Sequence, residues 1–113
     1  MINDIGPVSV VIVTFNSTSV VRAAIESVVN EKLVSNIFIV DNASADNISD
    51  VIDSFGSAKI KLIHNSPNLG FGVANNIALE QITTAYALLL NPDAVMGKGA
   101  LDTLVKKSAL YAQ

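Results

Sequence analysis

The sequence predicts an α/β fold in which helices cover both faces of a mainly parallel sheet. Two observations carry this prediction. Strongly apolar segments rich in β-branched residues alternate with segments whose apolar residues recur at helical spacing. A polar, turn-forming segment follows each apolar one, as is typical where a strand ends. Regular alternation of strands and helices indicates parallel strands joined by right-handed crossovers, which build three α/β/α layers.

The first half of the chain contains two predicted strands and two predicted helices. The first strand is almost wholly apolar without clean alternation, which favours a strand buried on both faces. Each helix has one apolar stripe, and Gly56 is the expected stop of the second helix. The four elements are a strand at Val8–Phe15, a helix over 20–29, a strand at Ile37–Val40 and a helix over 48–55.

The second half of the chain repeats this order. Its first strand partly alternates between polar and apolar residues, which favours a position near the edge of the sheet. Three consecutive leucines predict that its second strand is buried, and Pro92 ends that strand because proline cannot donate a hydrogen bond to a sheet. The four elements are a strand at Lys59–Ile63, a helix at Val73–Gln81, a strand at Tyr86–Leu90 and a helix from Leu101 to about Leu110.

Composition narrows the classes of function. The 113 residues carry a net charge of -3 with no basic cluster, which argues against a nucleic-acid-binding protein. Cysteine is absent, so disulfide bonds and thiolate metal sites are excluded. No apolar run approaches the roughly 18 residues of a membrane span, and the first residues lack a signal-peptide pattern, so we expect a cytoplasmic protein. The mean hydropathy of +0.49 is high for a small domain and predicts an exposed apolar face.

Polar residues follow all four predicted strands. They are Asn16-Ser17, Asp41-Asn42, His64-Asn65 and Asn91-Pro92-Asp93. Because all strands of a parallel sheet point the same way, these segments should meet at one rim, where open α/β sheets bind ligands. Asp41 and Asp93 would then flank one crevice. Carboxylates there could accept hydrogen bonds from a nucleobase or ribose, or hold a divalent cation that bridges phosphates.

Three other folds that bind nucleotides or accept phosphate fit the sequence less well. A dinucleotide-binding fold needs Gly-x-Gly-x-x-Gly after its first strand, where the segment from Phe15 onward has no glycine. Gly70-Phe71-Gly72 follows the third strand and lacks the third glycine. A Walker phosphate-binding loop is absent from the sequence. A receiver domain could use Asp41 or Asp93, but Pro92 and the lack of an acidic pair after the first strand argue against it.

Four segments resemble, in the same order, the successive motifs of family 2 glycosyltransferases. The resemblance extends from Val8 to about Leu104 and implies the Rossmann-like fold called GT-A. The Asn-Leu-Gly-Phe-Gly and Asn-Pro-Asp versions resemble the rhamnosyltransferase-like branch of that family. The four segments are Val10–Asn16, Val40–Asp46, Asn68–Asn76 and Leu89–Asp93.

The resemblance also implies roles for individual residues. Asp41 would accept a hydrogen bond from the imide N–H of uracil or thymine, a donor that suits a carboxylate. Asp93 would bind the Mg²⁺ or Mn²⁺ ion that holds the diphosphate. Asn91 would be a weak ligand, because a neutral amide stands where many relatives have a carboxylate. The residues expected around the nucleotide are Thr14, Asn16, Asp41, Asn68, Gly70 and Asn76.

Structural roles stay open for several polar residues. Asp41 could instead cap the loop before the second helix, and Asp46 is predicted to be a helix N-cap rather than a ligand. His64 is the only histidine and has no nucleophile or carboxylate beside it in sequence, so we expect a strand-end residue without a catalytic role. Phe71 is expected to be a packing residue.

The resemblance implies an inverting glycosyltransferase of cell-surface polysaccharide synthesis. It would transfer a sugar, such as the deoxyhexose rhamnose, from a dTDP- or UDP-sugar to a glycan or lipid-linked acceptor. The family places its general base in the half that follows the metal motif, and only residues 94–113 follow Asp93. We therefore expect 1–113 to be one nucleotide-sugar-binding domain without the acceptor-binding half.

Two further expectations concern the partners of this domain. We expect self-association through the exposed apolar face and a cytoplasmic location, peripheral at the inner face of the membrane. The alternative function is a non-catalytic remnant that serves as a nucleotide-binding or assembly module. Turnover of a sugar nucleotide would separate this module from an enzyme.

Overall fold

Strands and helices alternate along the chain, as predicted. The structure is a computed structural model and describes residues 7–104. Residues 100–104 are helical and begin the predicted last helix, of which the later residues lie outside the described range. None of the helices in the described range is long and apolar enough to cross a membrane. The elements are β1 (Val8–Thr14), α1 (Thr18–Val29), β2 (Val34–Asn42), α2 (Ile48–Asp53), β3 (Ile60–Asn65), α3 (Phe71–Leu79) and β4 (Tyr86–Leu89).

The four strands form one parallel sheet in the order β3-β2-β1-β4. The chain builds outward from β1 through β2 to β3, and then crosses back to place β4 on the other side of β1. The strand order therefore reverses between β1 and β4. Ligands of open α/β sheets bind in the crevice that such a reversal leaves at the carboxyl ends of the strands.

Helices cover both faces of the sheet, which confirms the three-layer α/β/α prediction. On one face, Val10 and Ile12 of β1 share a buried core with Ile25 of α1 and Ile48 of α2. On the other face, the small residues of α3 pack on alternate strand residues. That second core consists of Val11, Val13, Phe38, Val40, Ala74 and Ala78. The direct connections from β1 to β3 use one face, and the return crossover to β4 uses the other.

Several element ends differ from the predictions. β1 ends at Thr14, so Phe15 lies beyond the strand and is 53% exposed. β2 is longer than predicted because it pairs along its length with β1 and β3. At its polar end, Asn42 pairs with Asn65 of β3, a contact that the apolar pattern of the sequence does not reveal. α3 begins at Phe71, two residues before the predicted start.

The prediction that the leucine-rich strand is buried is wrong for part of β4. Among residues 7–104, β4 pairs only with β1 and forms an edge of the sheet, and Leu89 is 49% exposed. Only Leu90, just past the strand, is buried. An apolar run predicts burial on both faces, but it does not specify whether another strand lies beside it. β3 forms the other edge, as its partial alternation predicts.

Candidate functional site

A cavity of about 370 Å³ opens at the carboxyl edge of the sheet, where the strand order reverses. We call it the strand-end cavity. It is bounded by the ends of β1, β2 and β4 and by the start of α3. The structure therefore brings together three of the four predicted strand ends, and the segment after β3 supplies a further wall. The residues that line it are Val13, Phe15, Ser17, Asn42, Asn68, Gly70, Phe71, Asn91 and Pro92.

Two exposed aromatic rings stand among these residues. Phe15 follows β1, and Phe71 opens α3 with 57% of its surface exposed. The prediction that Phe71 is a packing residue is therefore wrong, since it is exposed at the first position of the helix. The other walls combine apolar side chains with a few amides and one hydroxyl. Pockets lined mainly by apolar and aromatic side chains with a few polar groups are typical of sites for small organic ligands.

The β1–α1 loop (residues 15–17) is held against the β2–α2 loop (residues 43–47) by Asn16. Its backbone adopts a φ of 50°, a left-handed conformation that asparagine tolerates better than most residues. The backbone N–H of Asn16 donates to Ser44 Oγ at 2.8 Å, and the side-chain oxygen Oδ1 of Asn16 accepts from the backbone N–H of Ala45 at 2.7 Å. Both polar groups thus bind the neighbouring loop. Asn16 does not line the strand-end cavity.

Asp41 lies at the end of β2 with only 2% of its surface exposed. Its Oδ1 accepts hydrogen bonds from Thr14 Oγ1, at 2.7 Å, and from Ser44 Oγ. Its Oδ2 accepts from the Ser44 N–H at 3.1 Å and lies 3.8 Å from His64 Nδ1. The carboxylate therefore caps the β2–α2 loop, in agreement with the structural alternative. Neither Thr14 nor Asp41 lines the strand-end cavity.

Asp46 caps a helix, but the helix is α1 rather than the adjacent α2. Its Oδ2 accepts from the Thr18 N–H at 3.1 Å and from Thr18 Oγ1 at 2.9 Å. Oδ1 is buried without a hydrogen-bond partner in the described part of the chain. Asn47 is the residue that caps α2, through the Asp50 N–H. A negative charge near a helix N-terminus is favourable. Through its bonds to Thr18, Asp46 also ties the β2–α2 loop to the start of α1.

The predicted residues around α3 divide into two sets. Asn68 and Gly70 line the strand-end cavity, and Asn68 Oδ1 accepts from the Gly70 N–H at 2.7 Å. Gly70 has a φ of 86°, which a residue with a Cβ rarely adopts. Asn76 lies on the exposed surface of α3 and does not line the cavity. Its neighbour Asn75 is the buried amide, and it donates to the Phe71 carbonyl oxygen at 3.2 Å.

The segment after β4 is a turn. The Ala94 N–H donates to the Asn91 carbonyl oxygen at 3.0 Å, with Pro92 and Asp93 at the two central positions. Asn91 and Pro92 line the strand-end cavity. Asp93 is exposed and is not one of its lining residues. The walls formed by residues 7–104 therefore contain no carboxylate, although Asp41 and Asp93 each stand next to a wall residue.

The structure adds Phe15 and Asn42 to the candidate site, and strand parity is the signal that could have identified them. Side chains of a strand alternate between its faces. Val13 faces α3, so Phe15 continues on the same side. Val40 also faces α3, so Asn42 follows on that side while Asp41 turns to the other. The sequence-based prediction of site residues relied on their charge. The alternation of side chains along each strand determines which of them faces the cavity.

Comparison with known proteins identifies the family. The family model described as Glycosyl transferase family 2 matches residues 9–109, which is most of the chain. The chain belongs to glycosyl transferase family 2. A search of curated protein sequences finds no match to this chain.

Solved structures share the fold of the family 2 domain. S. aureus TarS, residues 1–349, superposes with a TM-score of 0.81 at 20% identity, over 93% of this chain and 33% of that one. TarS in complex with UDP gives 0.81 at 19% identity, over 93% and 32%. Mannosyltransferase PcManGT from Pyrobaculum calidifontis, in complex with GDP-Man and Mn2+, gives 0.83 at 20% identity, over 92% and 32%. The chain therefore spans about a third of the length of these structures, and the shared α/β architecture is GT-A-like.

The family 2 domain offers a limited donor set for a divalent cation. No group of three or more His, Cys, Asp or Glu side chains between residues 7 and 104 could hold a metal ion. Asp93 supplies one exposed carboxylate, and Asn91, two residues earlier in the chain, supplies an amide at the cavity wall. Mg²⁺ is commonly bound through one or two carboxylates together with substrate phosphates and water. These residues fit a cation shared with a diphosphate, rather than a metal held by protein alone.

Proposed function

We propose that the strand-end cavity binds the nucleotide of a nucleotide-diphosphate-sugar, and that this chain is the donor-binding part of a glycosyltransferase. One observation carries the proposal: in a family 2 chain, a cavity with exposed aromatic and amide walls lies where the strand order reverses. The solved structures of similar fold support the ligand class, because TarS was determined with UDP and PcManGT with GDP-Man and Mn2+.

The walls suggest how a nucleobase is held. Phe15 presents an exposed ring on which a flat base can stack, an interaction worth about 1–3 kcal/mol per base. The exposed amide of Asn68 lines the same cavity and can bond the polar edge of the base, whereas the Asn42 amide is buried and engaged by its protein partners. We propose uracil or thymine, from a UDP- or dTDP-sugar. Asp41 as a direct ligand of the imide N–H stays a prediction, and its burial favours an indirect action through Thr14 and Ser44.

The turn after β4 is proposed to meet the diphosphate. Asp93 would hold a Mg²⁺ or Mn²⁺ ion, with Asn91 as a weak partner, and that ion would neutralise the leaving diphosphate. Asn91 and Pro92 line the strand-end cavity, which supports a position of this turn beside the bound nucleotide. Because Asp93 is exposed, its carboxylate is accessible to a cation that is bound to the diphosphate.

The rest of the reaction is proposed from the family alone. We propose inverting transfer of a deoxyhexose such as rhamnose to a glycan or lipid-linked acceptor in cell-surface polysaccharide synthesis. The general base would lie outside the described residues. With a lipid-linked acceptor, the protein would work from the cytoplasm at the inner face of the membrane, and cell fractionation would test this location.

Calorimetric titration with UDP and dTDP, each with and without Mn²⁺, tests the donor. We expect both nucleotides to bind and Mn²⁺ to tighten binding, because the cation screens the diphosphate from Asp93. Asp93→Asn should remove most of the Mn²⁺ effect, and Asp41→Asn should weaken binding. Asp102→Asn, an exposed change of the same charge, is the control. Absence of binding by either nucleotide would overturn the proposal, and so would Asp93→Asn and Asp41→Asn variants that behave as wild type.

A non-catalytic binding or assembly module is the second candidate function. The cavity walls that residues 7–104 form contain no carboxylate that could serve as a general base, which is compatible with such a module as well as with a donor-binding part. Incubation with UDP- and dTDP-sugars separates the two candidates. Hydrolysis or transfer supports the enzyme, whereas nucleotide binding without any turnover supports the module.

A further inference from the structure

Two buried asparagines lie side by side at the ends of β2 and β3. Asn42 and Asn65 are opposite each other in the parallel register and are 2% and 8% exposed. Asn65 Nδ2 donates to Asn42 Oδ1 at 2.9 Å. Asn42 lines the strand-end cavity, but Asn65 does not. A buried amide is costly unless its donors and acceptors are paired, so such a pair requires an explanation.

The orientation of the Asn42 amide is fixed by two backbone groups of the β3–α3 loop (residues 66–70). The Leu69 N–H can only donate, and it donates to Asn42 Oδ1 at 3.3 Å. The Gly70 carbonyl oxygen can only accept, and it accepts from Asn42 Nδ2 at 3.1 Å. The Asn42 oxygen therefore faces Leu69, its nitrogen faces Gly70, and Asn65 must present its NH₂ group.

We propose that Asn65 is a positioning residue for the strand-end cavity. It locks the Asn42 amide in the one orientation that holds Leu69 and Gly70, and so fixes the wall that Gly70 and Phe71 form at the start of α3. The ligand in this inference rests on the proposed nucleotide function. The relay itself, from Asn65 through Asn42 to the loop, does not depend on which ligand enters.

Asn65→Asp tests the relay with almost no change of shape. A carboxylate only accepts, so it would face the Asn42 oxygen across a buried contact. Rotation of the Asn42 amide would relieve this clash, but it would turn the Asn42 oxygen toward the Gly70 carbonyl oxygen. The rotated amide would also set its NH₂ group against the Leu69 N–H, so both orientations leave at least one repulsive pair and weaken the hold of Asn42 on the loop. Since Asn65 is not a cavity wall, its effect on a ligand must be indirect, and its hydrogen bond to Asn42 is the side-chain route to the cavity.

The experiment combines amide hydrogen exchange by NMR with UDP titration on wild type, Asn65→Asp and Asn65→Ala. We expect exchange of the Leu69 amide to rise, and UDP affinity to fall, by about tenfold in both variants, while exchange in β1 stays unchanged. Asn36→Asp is the matched control, because Asn36 is a half-buried amide of β2 outside the cavity. In an Asn42→Ala background, Asn65→Asp should add little, as expected of two residues in one network.

Leu69 exchange tests the relay, and UDP affinity tests the positioning role. Unchanged Leu69 exchange in both variants would overturn the relay, and so would a loss of protection spread evenly over the sheet. Faster Leu69 exchange with unchanged UDP affinity would overturn the positioning role. If Asn65→Asp does not fold, Asn65→Ala decides. If wild type binds no UDP, the proposed function fails, and Leu69 exchange alone tests the relay.

Discussion

At the scale of single residues, Ala43 is held in a conformation that favours glycine. Its φ is 60°, in the left-handed region where a Cβ costs roughly 1 kcal/mol. We expect Ala43→Gly to raise the free energy of unfolding by about 0.5–1 kcal/mol, measured by urea denaturation. Ala45→Gly is the control in the same exposed loop, and it should be neutral or destabilising because Ala45 is not left-handed. Destabilisation by Ala43→Gly would contradict this account.

Phe15 is an exposed aromatic residue at the wall of the strand-end cavity. Phe15→Ala should weaken UDP binding by about tenfold, because stacking on an aromatic ring is worth about 1–3 kcal/mol. It should leave the unfolding midpoint nearly unchanged, since the ring lies outside β1. Val20→Ala removes an exposed apolar side chain of α1 away from the cavity and should change neither quantity. Equal UDP binding by the two variants would remove Phe15 from the site.

At the scale of elements, α1 depends on a cap that lies 28 residues away in the chain. Asp46→Ala should lower the free energy of unfolding by about 1–2 kcal/mol, because the Thr18 N–H loses its acceptor and the helix N-terminus loses a negative charge. Asp46→Asn keeps an acceptor and should cost less. Asp53→Ala, at the exposed end of α2, is the control and should change stability by less than about 0.5 kcal/mol. Equal losses for Asp46→Ala and Asp53→Ala would show that the cap is unimportant.

The elements also show how far the sequence could predict the site. Apolar periodicity was sufficient for the alternating strands and helices, and the parallel sheet then brought the strand ends together. It could not separate Asp41 from Asn42, because that choice depends on which face of β2 carries the cavity. It could not show Asp46 reaching α1 rather than α2, since that contact depends on how two loops pack. The predicted burial of β4 was too high, because the residues of a strand do not show whether a second strand lies beside it, and β4 has a partner on one side among residues 7–104.

At the scale of the whole molecule, the side of β4 that faces away from β1, which has no partner strand among residues 7–104, is the feature that we expect to favour association. An edge strand offers free backbone donors and acceptors, and Leu89 adds exposed apolar surface beside them. We expect the 113-residue chain to self-associate in sedimentation velocity experiments at micromolar concentrations. Leu89→Lys should shift the chain toward monomer, because a charged side chain at an edge opposes strand pairing.

Val20→Lys introduces the same charge on α1 and is the control for that shift. It should leave the sedimentation profile of the wild type unchanged. A monodisperse wild-type monomer would contradict the expected self-association. A monomer produced equally by Leu89→Lys and Val20→Lys would indicate a net-charge effect instead of an interface at β4.

The bonds between the β1–α1 and β2–α2 loops have a consequence for the thermodynamics of binding. Asn16, Ser44, Asp46 and their partners fix one side of the cavity as the chain folds, before any ligand arrives. Ordering a mobile side chain on association costs about 0.5–1.5 kcal/mol, and this side of the cavity is spared that loss. The Asn65–Asn42 relay holds the β3–α3 loop in the same way, so entropy lost on binding should be concentrated in the turn after β4. A ligand would meet rigid walls at both loops and adjust the turn, so affinity should respond most to changes that stiffen the turn.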